Sequence, residues 1–400
     1  MRIAYFNATM RVGQDGVTRV VYKMIESALA RRAEVIAFSA ALPAPEQRII
    51  PMYKVPSLVL PLQKVYRLAL PGYQTFAKRL QNFRPDILHI NSPCPLGFAA
   101  TRYAKRFNVP IVATYHTHFP TYPRYYKLGA FEGLTWSIMK SLYGEVNRTF
   151  VPTMPILCEL QEHGISRLEY LPHGVETQLF NPENRSTLWR KRFSAAGKPV
   201  LLFVSRLVWE KDLRVLAEMY NILRSRRDDF AMVVVGDGHA RAQLETTMPG
   251  AHFLGYQKGS ALAESYASAD IFVFPSTTET FGLVTLEAMA SGLAPVAADA
   301  GGAKEIIEEG KSGLLAVPLD SVDLAKKVEW LLDHPDQRTL IAQHAFQRAQ
   351  EFGWPGILDR LFASYEEVVQ EFENNRKGAA YKERLLQERS RAVENNPTVH

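Results

Sequence analysis

Scarcity narrows the class of this 400-residue chain before any motif is read. Its two cysteines, Cys94 and Cys158, stand far apart in unlike contexts, too few for a disulfide scaffold and without the paired spacing of a zinc knuckle. Both are expected to be reduced and structural. No apolar run reaches about 18 residues, which excludes a helical membrane span. "MRIAYF" gives way to polar "NATMRVGQDG" too soon for a secretory signal, so a cytoplasmic address is expected. No short-period repeat is present, which argues against a solenoid.

What remains is the composition of a folded body. Apolar residues make up 47% and charged residues 22%, and the length exceeds what one hydrophobic core usually spans, so two domains are expected. Charge is uneven along the chain. Residues 1–180 hold 21 Lys+Arg against 11 Asp+Glu, whereas the remainder holds 26 against 30. A basic first half is expected to face something anionic: a membrane surface, a phosphorylated substrate or nucleic acid. For nucleic acid that charge is the sole support, with no recognition motif beside it, so no nucleic-acid partner is expected.

Short β-rich runs alternate with helical stretches throughout. "RIAYF", "EVIAF", "DILHI", "IVATYH", "RTFVP" and "LEYLP" read as strands in the first half, with a helix from about Val17 to Ala30. "PVLLFVS", "FAMVVVG", "AHFLG", "DIFVFP", "LAPVAA" and "SGLLAV" restart the pattern beyond a polar linker at 181–199. This predicts an α/β protein with two doubly wound parallel sheets. Ligands of such sheets bind beyond the carboxyl ends of the strands, so the cleft between the two is the expected site. The charged C-terminal stretch is expected to be an exposed helix and a frayed end.

Chemically pointed residues fall at those strand ends. Gly13 and Gly16 follow the first strand; they either bring helix amides close to an anion or simply make the turn. Arg206 and Lys211 follow "PVLLFVS" in "SRLVWEKD", two cations suited to a diphosphate, unless Lys211 is paired with Glu210 or Asp212. After "DIFVFP" comes "STTETFGLVTLEAMASG". Its helix is expected to begin at Phe281, Gly282 and Leu283, with amides aimed into the cleft, and to stop at Gly292. Glu279 lies in the lead-in loop, and Glu287 about two turns inside, among Leu286, Ala288 and Met289. A buried carboxylate needs a hydrogen-bonding partner. A ligand diol such as ribose would serve, and so would an internal Lys or Arg.

The stretch "STTETFGLVTLEAMASGLAPVAADAGGAKEII" resembles the nucleotide-sugar site of retaining glycosyltransferases of the two-Rossmann-domain (GT-B) type, in glycosyltransferase family 4. Glu279 and Glu287 match its E-x7-E pair, and "SRLVWEKD" its Arg…Lys segment. "QDGVTRVV" is similar to its N-terminal glycine turn, with Asp15 where many members have Gly. "LPHGVETQLFNP" matches its hinge-proximal element, with His173 in place of the commoner Asn. "VATYHTHFPTYPRYYKLG" is similar to a segment of sulfoquinovosyl-diacylglycerol synthases and glycolipid mannosyltransferases. The resemblance covers about residues 1–370.

It implies an acceptor domain at 1–180, a nucleotide-sugar domain at 181–352, a helix at 353–375 packing back on the first domain, and a charged tail at 376–400. The implied activity is retaining transfer of a hexosyl group from GDP-mannose or a UDP-hexose to a hydroxyl of a lipid, a glycolipid or a soluble sugar. His116, Arg206, Lys211 and Glu279 take the implied catalytic roles. Donor contacts fall to Gly16, Arg206, Lys211, Tyr256, Glu279, Thr280, Phe281, Gly282, Leu283, Val284 and Glu287, and acceptor contacts to His116, His118, Tyr122, Arg124 and Tyr125. No cofactor and no metal are expected: the chain has no D-x-D run, and two cations with a helix terminus can replace Mg2+. Two alternatives stay open, a sugar-nucleotide 2-epimerase of the same fold and a non-catalytic nucleotide-sugar-binding subunit. The segment from Gln47 to Leu80 carries Arg48, Lys54, Lys64, Arg67, Lys78 and Arg79 with no acid; it suits peripheral contact with an anionic membrane or a strand-loop-helix core.

Overall fold

The computed structural model describes residues 1–11, 16–60, 63–70, 72–121, 132–193 and 197–394. In the first half the strands are β1 (Arg2–Thr9), β2 (Glu34–Ala41), β3 (Met52–Lys54), β4 (Ser57–Leu60), β5 (Gln63–Ala69), β6 (Ile87–Ile90), β7 (Ile111–Thr114), β8 (Arg148–Val151) and β9 (Leu168–Tyr170). Seven of them form a sheet in the order β3-β2-β1-β6-β7-β8-β9. Every pairing in it is parallel. β4 and β5 form a separate antiparallel pair.

The second half repeats the plan. β10 (Val200–Val204), β11 (Ala231–Val235), β12 (His252–Gly255), β13 (Ile271–Phe274), β14 (Ala294–Ala298) and β15 (Leu314–Ala316) form a parallel sheet in the order β12-β11-β10-β13-β14-β15. Every residue of β10, β11, β13 and β14 is buried, as expected of a sheet covered by helices on both faces. The Gly16–Ala30 helix buries Val20, Val21, Met24, Ile25 and Ala28, a helical stripe turned to the core.

Between the halves the linker is strapped to the second domain. Asp270 accepts hydrogen bonds from Arg185 (2.7 Å), Arg190 (2.8 Å) and the Val200 amide (2.8 Å). Burial pushes this carboxyl up, but those donors outweigh it and hold it below the ordinary carboxylate range. The chain crosses between domains a second time beside the first: the Val175 amide donates to the Phe352 carbonyl at 2.9 Å.

The Trp354–Glu394 helix then returns to the first sheet. Tyr365 bonds to His89 and lies 3.4 Å from the Tyr5 hydroxyl, while Arg148 holds Ser364 at 2.9 Å and Glu367 at 2.9 Å. The helix continues through residue 376 without a break. Cys94 is half-buried, but Cys158 is exposed and free, so a packing role fails for it. No helix among the described residues is long and apolar enough to cross a membrane.

Candidate active site

Two helix N-termini face each other where the carboxyl ends of the sheets meet. Gly16 opens the helix after β1, and a Cβ added there would stand 3.1 Å from Leu283 Cδ1. Leu283 opens the Leu283–Ala290 helix after β13, capped by Gly282 at φ 92°. The first amides of each helix have no intrahelical acceptor and lie at the positive end of the dipole, so this junction favours negative charge.

Glu287 is the fifth residue of that eight-residue helix, in its second turn rather than two turns inside. Its side chain is 6% exposed. Oε1 accepts from Arg19 Nη1 at 2.6 Å, and Oε2 accepts from the Tyr266 hydroxyl at 3.0 Å. Of the two partners open to a buried carboxylate, the internal cation is present, and it reaches across from the first domain. Burial, then the charge of Glu287, raises the Tyr266 hydroxyl well above its ordinary pKa, so it stays a donor. A carboxylate has about four acceptor positions, and these two donors fill two of them.

Lys211 pairs with Glu279 rather than with its sequence neighbours. Asp212 instead braces the loop after β13, where its Oδ2 accepts from both the amide and the hydroxyl of Thr277, each at 2.8 Å. Thr278 donates to the Glu210 carbonyl at 2.8 Å, so the loops after β10 and β13 are stitched together. A third segment backs them. The Gly302 amide donates to the Glu279 carbonyl at 3.0 Å, and a Cβ at this position would lie 1.9 Å from the Phe281 carbonyl oxygen. Asp212, Thr277 and Gly302 do not stand out as supports in the sequence; the paired glycines of "DAGGAKE" are the one local signal.

The other residues expected to contact the donor are more spread. Arg206 is exposed just past β10, and Tyr256, just past β12, is 58% exposed. The Thr280 carbonyl accepts from Thr153 Oγ1 of the first domain at 3.4 Å. Phe281 is buried, with its ring centroid 5.3 Å from that of His173. Val284 lies in the first turn of the Leu283–Ala290 helix.

His116 follows β7 and is buried. Its Nε2 lies 3.1 Å from Asn91 Oδ1 and its Nδ1 3.3 Å from His173 Nε2. Burial, with His173 and His89 adding, holds its imidazole well below the ordinary pKa. His173 is lowered to about 4 by burial. Both rings are neutral at pH 7, and both nitrogens of His116 are engaged by protein groups. His118 turns elsewhere, to the Tyr115 hydroxyl at 2.9 Å and Glu159 at 3.3 Å. Gly13, Asp15, Tyr122, Arg124 and Tyr125 lie outside the described residues. Among the described residues no three His, Cys, Asp or Glu side chains gather as a metal site requires.

Known proteins resemble this chain in sequence and in fold. Residues 14–179 match the family model Glycosyltransferase Family 4, and residues 185–348 match Glycosyl transferases group 1. The GDP-mannose-dependent alpha-mannosyltransferase of Mycobacterium tuberculosis is 32% identical over 376 residues, covering 92% of this chain and 97% of that protein. Sulfoquinovosyl transferase SQD2 of Arabidopsis thaliana is 36% identical over 316 residues, 76% of this chain and 61% of that one. The solved structure of sucrose-phosphate synthase from Thermosynechococcus elongatus shares the fold, with a TM-score of 0.77 at 19% identity over 93% of this chain and 100% of that one. The chain belongs to glycosyltransferase family 4 and is a glycosyltransferase of the GT-B fold.

Proposed function

We propose that the protein transfers a hexosyl group from a nucleoside-diphosphate sugar to a hydroxyl of a lipid or glycolipid, with retention of configuration and without a metal. GDP-mannose is the first donor to test, because the mycobacterial relative is named for it. One observation carries the reading: the helix opening at Leu283 stands beside Lys211, Glu279 and Glu287. These are the groups a diphosphate, a sugar and a ribose diol need in that order.

In this reading the Glu287 carboxylate takes the ribose hydroxyls on the positions that Arg19 and Tyr266 leave. Lys211 has three N–H donors; Glu279 takes one, and the rest turn to the diphosphate with the amides of Leu283 and Val284, while exposed Arg206 adds a second cation. As the bond from C1 to the phosphate oxygen breaks, charge develops on the diphosphate, and donors fixed in advance stabilise it. The acceptor oxygen bonds to C1 on the same face, and its proton passes to the departing phosphate oxygen. His116, with both nitrogens engaged, shapes the wall beside the sugar and moves no proton.

A thermal-shift screen of UDP, GDP and ADP sugars tests the donor, since a ligand at about 100 times its Kd stabilises the native state by roughly 2.7 kcal/mol. The stabilising donor is then incubated with glycolipid acceptors, with and without EDTA, and the anomeric configuration of the product is read by NMR. Calorimetry that detects no nucleoside diphosphate binding would overturn the proposal.

A further inference from the structure

The basic segment noted in the sequence is only partly absorbed by the fold. Three of its cations, Arg48, Lys54 and Arg79, meet Arg11 around one cavity of about 370 Å3, floored by Ala40, Ala41 and Met52. The cavity lies at the carboxyl ends of β1, β2 and β3, the same end of the sheet as the cleft. Two of the guanidinium groups are held in place. Arg79 lies over the Tyr53 ring, 4.3 Å from its centroid, and Arg48 Nε donates to the Pro43 carbonyl at 3.2 Å. The small side chains of Ala40 and Ala41 keep the floor open. Among the described residues no carboxylate pairs with any of the four cations; Glu46, the sole acid between Glu34 and Asp86, is exposed and forms no ion pair. Four like charges converging on one concavity repel each other, and this arrangement is relieved when an anion enters. Arginine forks match tetrahedral and planar oxyanions by paired N–H donors.

We propose that this cavity binds a phosphate or similar multiply charged oxyanion carried by the acceptor. The proposal rests on the reading that the first domain takes the acceptor. Strands lie about 4.8 Å apart, and β2 is three strand intervals from β7. The anion would therefore sit roughly 14 Å from His116, which follows β7. That span suits a molecule whose charged group and reacting hydroxyl are separated by about one or two sugar rings. The anionic group belongs either to a lipid headgroup at a membrane surface or to a soluble phosphorylated acceptor, and the two are separable by experiment.

The full chain and two variants, Arg48→Ala/Lys54→Ala/Arg79→Ala and Lys211→Ala, are compared. In one arm glycerol 3-phosphate is titrated by calorimetry; in the other, flotation measures binding to phosphatidylcholine vesicles, either pure or with phosphatidylglycerol as about one lipid in three. Each cation near an anionic surface contributes roughly fivefold in affinity, so the triple variant should lose at least about tenfold in one of the arms, while Lys211→Ala loses none. Loss with glycerol 3-phosphate assigns a soluble or small headgroup phosphate; loss with vesicles alone assigns a lipid surface. Circular dichroism and nucleoside diphosphate affinity, unchanged in the triple variant, show that folding and the donor cleft are intact. Anion binding that survives the triple substitution, that disappears instead with Lys211→Ala, or that is absent in both arms overturns the proposal. Cavity binding without any nucleoside diphosphate binding would instead overturn the donor reading and leave this one standing.

Discussion

Gly302→Ala is the most demanding test of how the loop from Glu279 to Phe281 is held. A Cβ at this position would lie 1.9 Å from the Phe281 oxygen, 2.1 Å from its carbonyl carbon and 2.2 Å from its Cα, where real Cβ atoms essentially never come within 3.0 Å. The two segments must part by at least 1.1 Å, the gap between 1.9 and 3.0 Å. Backbone stands on both sides, so no flexible side chain can absorb the movement. Overpacking of this kind costs about 1–3 kcal/mol, and at about 2–4 °C per kcal/mol the melting temperature falls by roughly 2–12 °C. The functional cost is larger. Phe281 leads directly into the helix terminus and lies two residues from Glu279, and misplacing reacting groups by about 1 Å costs on the order of 10²-fold in rate. Circular dichroism, nucleoside diphosphate calorimetry and kcat/KM with the best donor are the assays. The expected result is a native spectrum, a lowered melting temperature and kcat/KM down by about two orders of magnitude. Gly356→Ala is the matched control: its Cβ would meet nothing within 4 Å, and alanine in a helix is favoured by roughly 0.5–1 kcal/mol. Wild-type kcat/KM in Gly302→Ala would refute the reasoning.

Three further outcomes are expected. In a double-mutant cycle of Arg19→Ala and Glu287→Gln, read by urea unfolding, the coupling should be about 1 kcal/mol, because Arg19 is 43% exposed and solvent screens the pair; a value under about 0.3 kcal/mol would show that the pair holds nothing. His173 takes up a proton near pH 6.5 when unfolded but only near 4 when folded, so the unfolded state binds more protons in that window and stability falls by about 3 kcal/mol as pH drops through it. His173→Asn should flatten the dependence of melting temperature on pH between those limits, and parallel curves would count against it. Asp270 has the same sign from a different cause, its hydrogen-bond donors: its folded carboxyl titrates below the unfolded one, so its contribution is present above the unfolded pKa and lost as pH falls through the folded value. Asp270→Asn should cost about 2–3 kcal/mol at pH 7 by urea unfolding, and no loss would mean that the linker is not tied there.

The sequence disclosed most where one local signal sufficed. Val200–Val204 and Ile271–Phe274 are unbroken apolar runs, and both are fully buried strands. β3 and β4 are not legible because Pro51, Pro56 and Pro61 bound them to pieces of three and four residues, too short for an alternating or a continuous pattern. Glu287 was conspicuous as a carboxylate in an apolar helix. Its partner was not: Arg19 is 268 residues away, and nothing local marks an exposed-looking arginine as the counter-ion of a buried acid. Asp212 and Gly302 escaped for the same reason, since each acts by supporting a loop that is distant in the chain. Pairing of Lys211 with a sequence neighbour gave way to Glu279 because the two loops are brought face to face by the sheet.

The closing helix also dictates an order of events during synthesis. Tyr365 covers His89 and Tyr5, and the chain separates it from His89 by 276 residues. At about 5–20 residues per second, ribosomes need roughly 14–55 s to span that interval. For that time the first sheet waits on the ribosome with part of one face uncovered, beside the Gly16–Ala30 helix that already packs there, while the second domain, continuous from the linker to Phe352, can complete itself. A nascent first half is therefore the species that chaperones should meet, and cutting the gene after the linker would not yield a self-sufficient fragment.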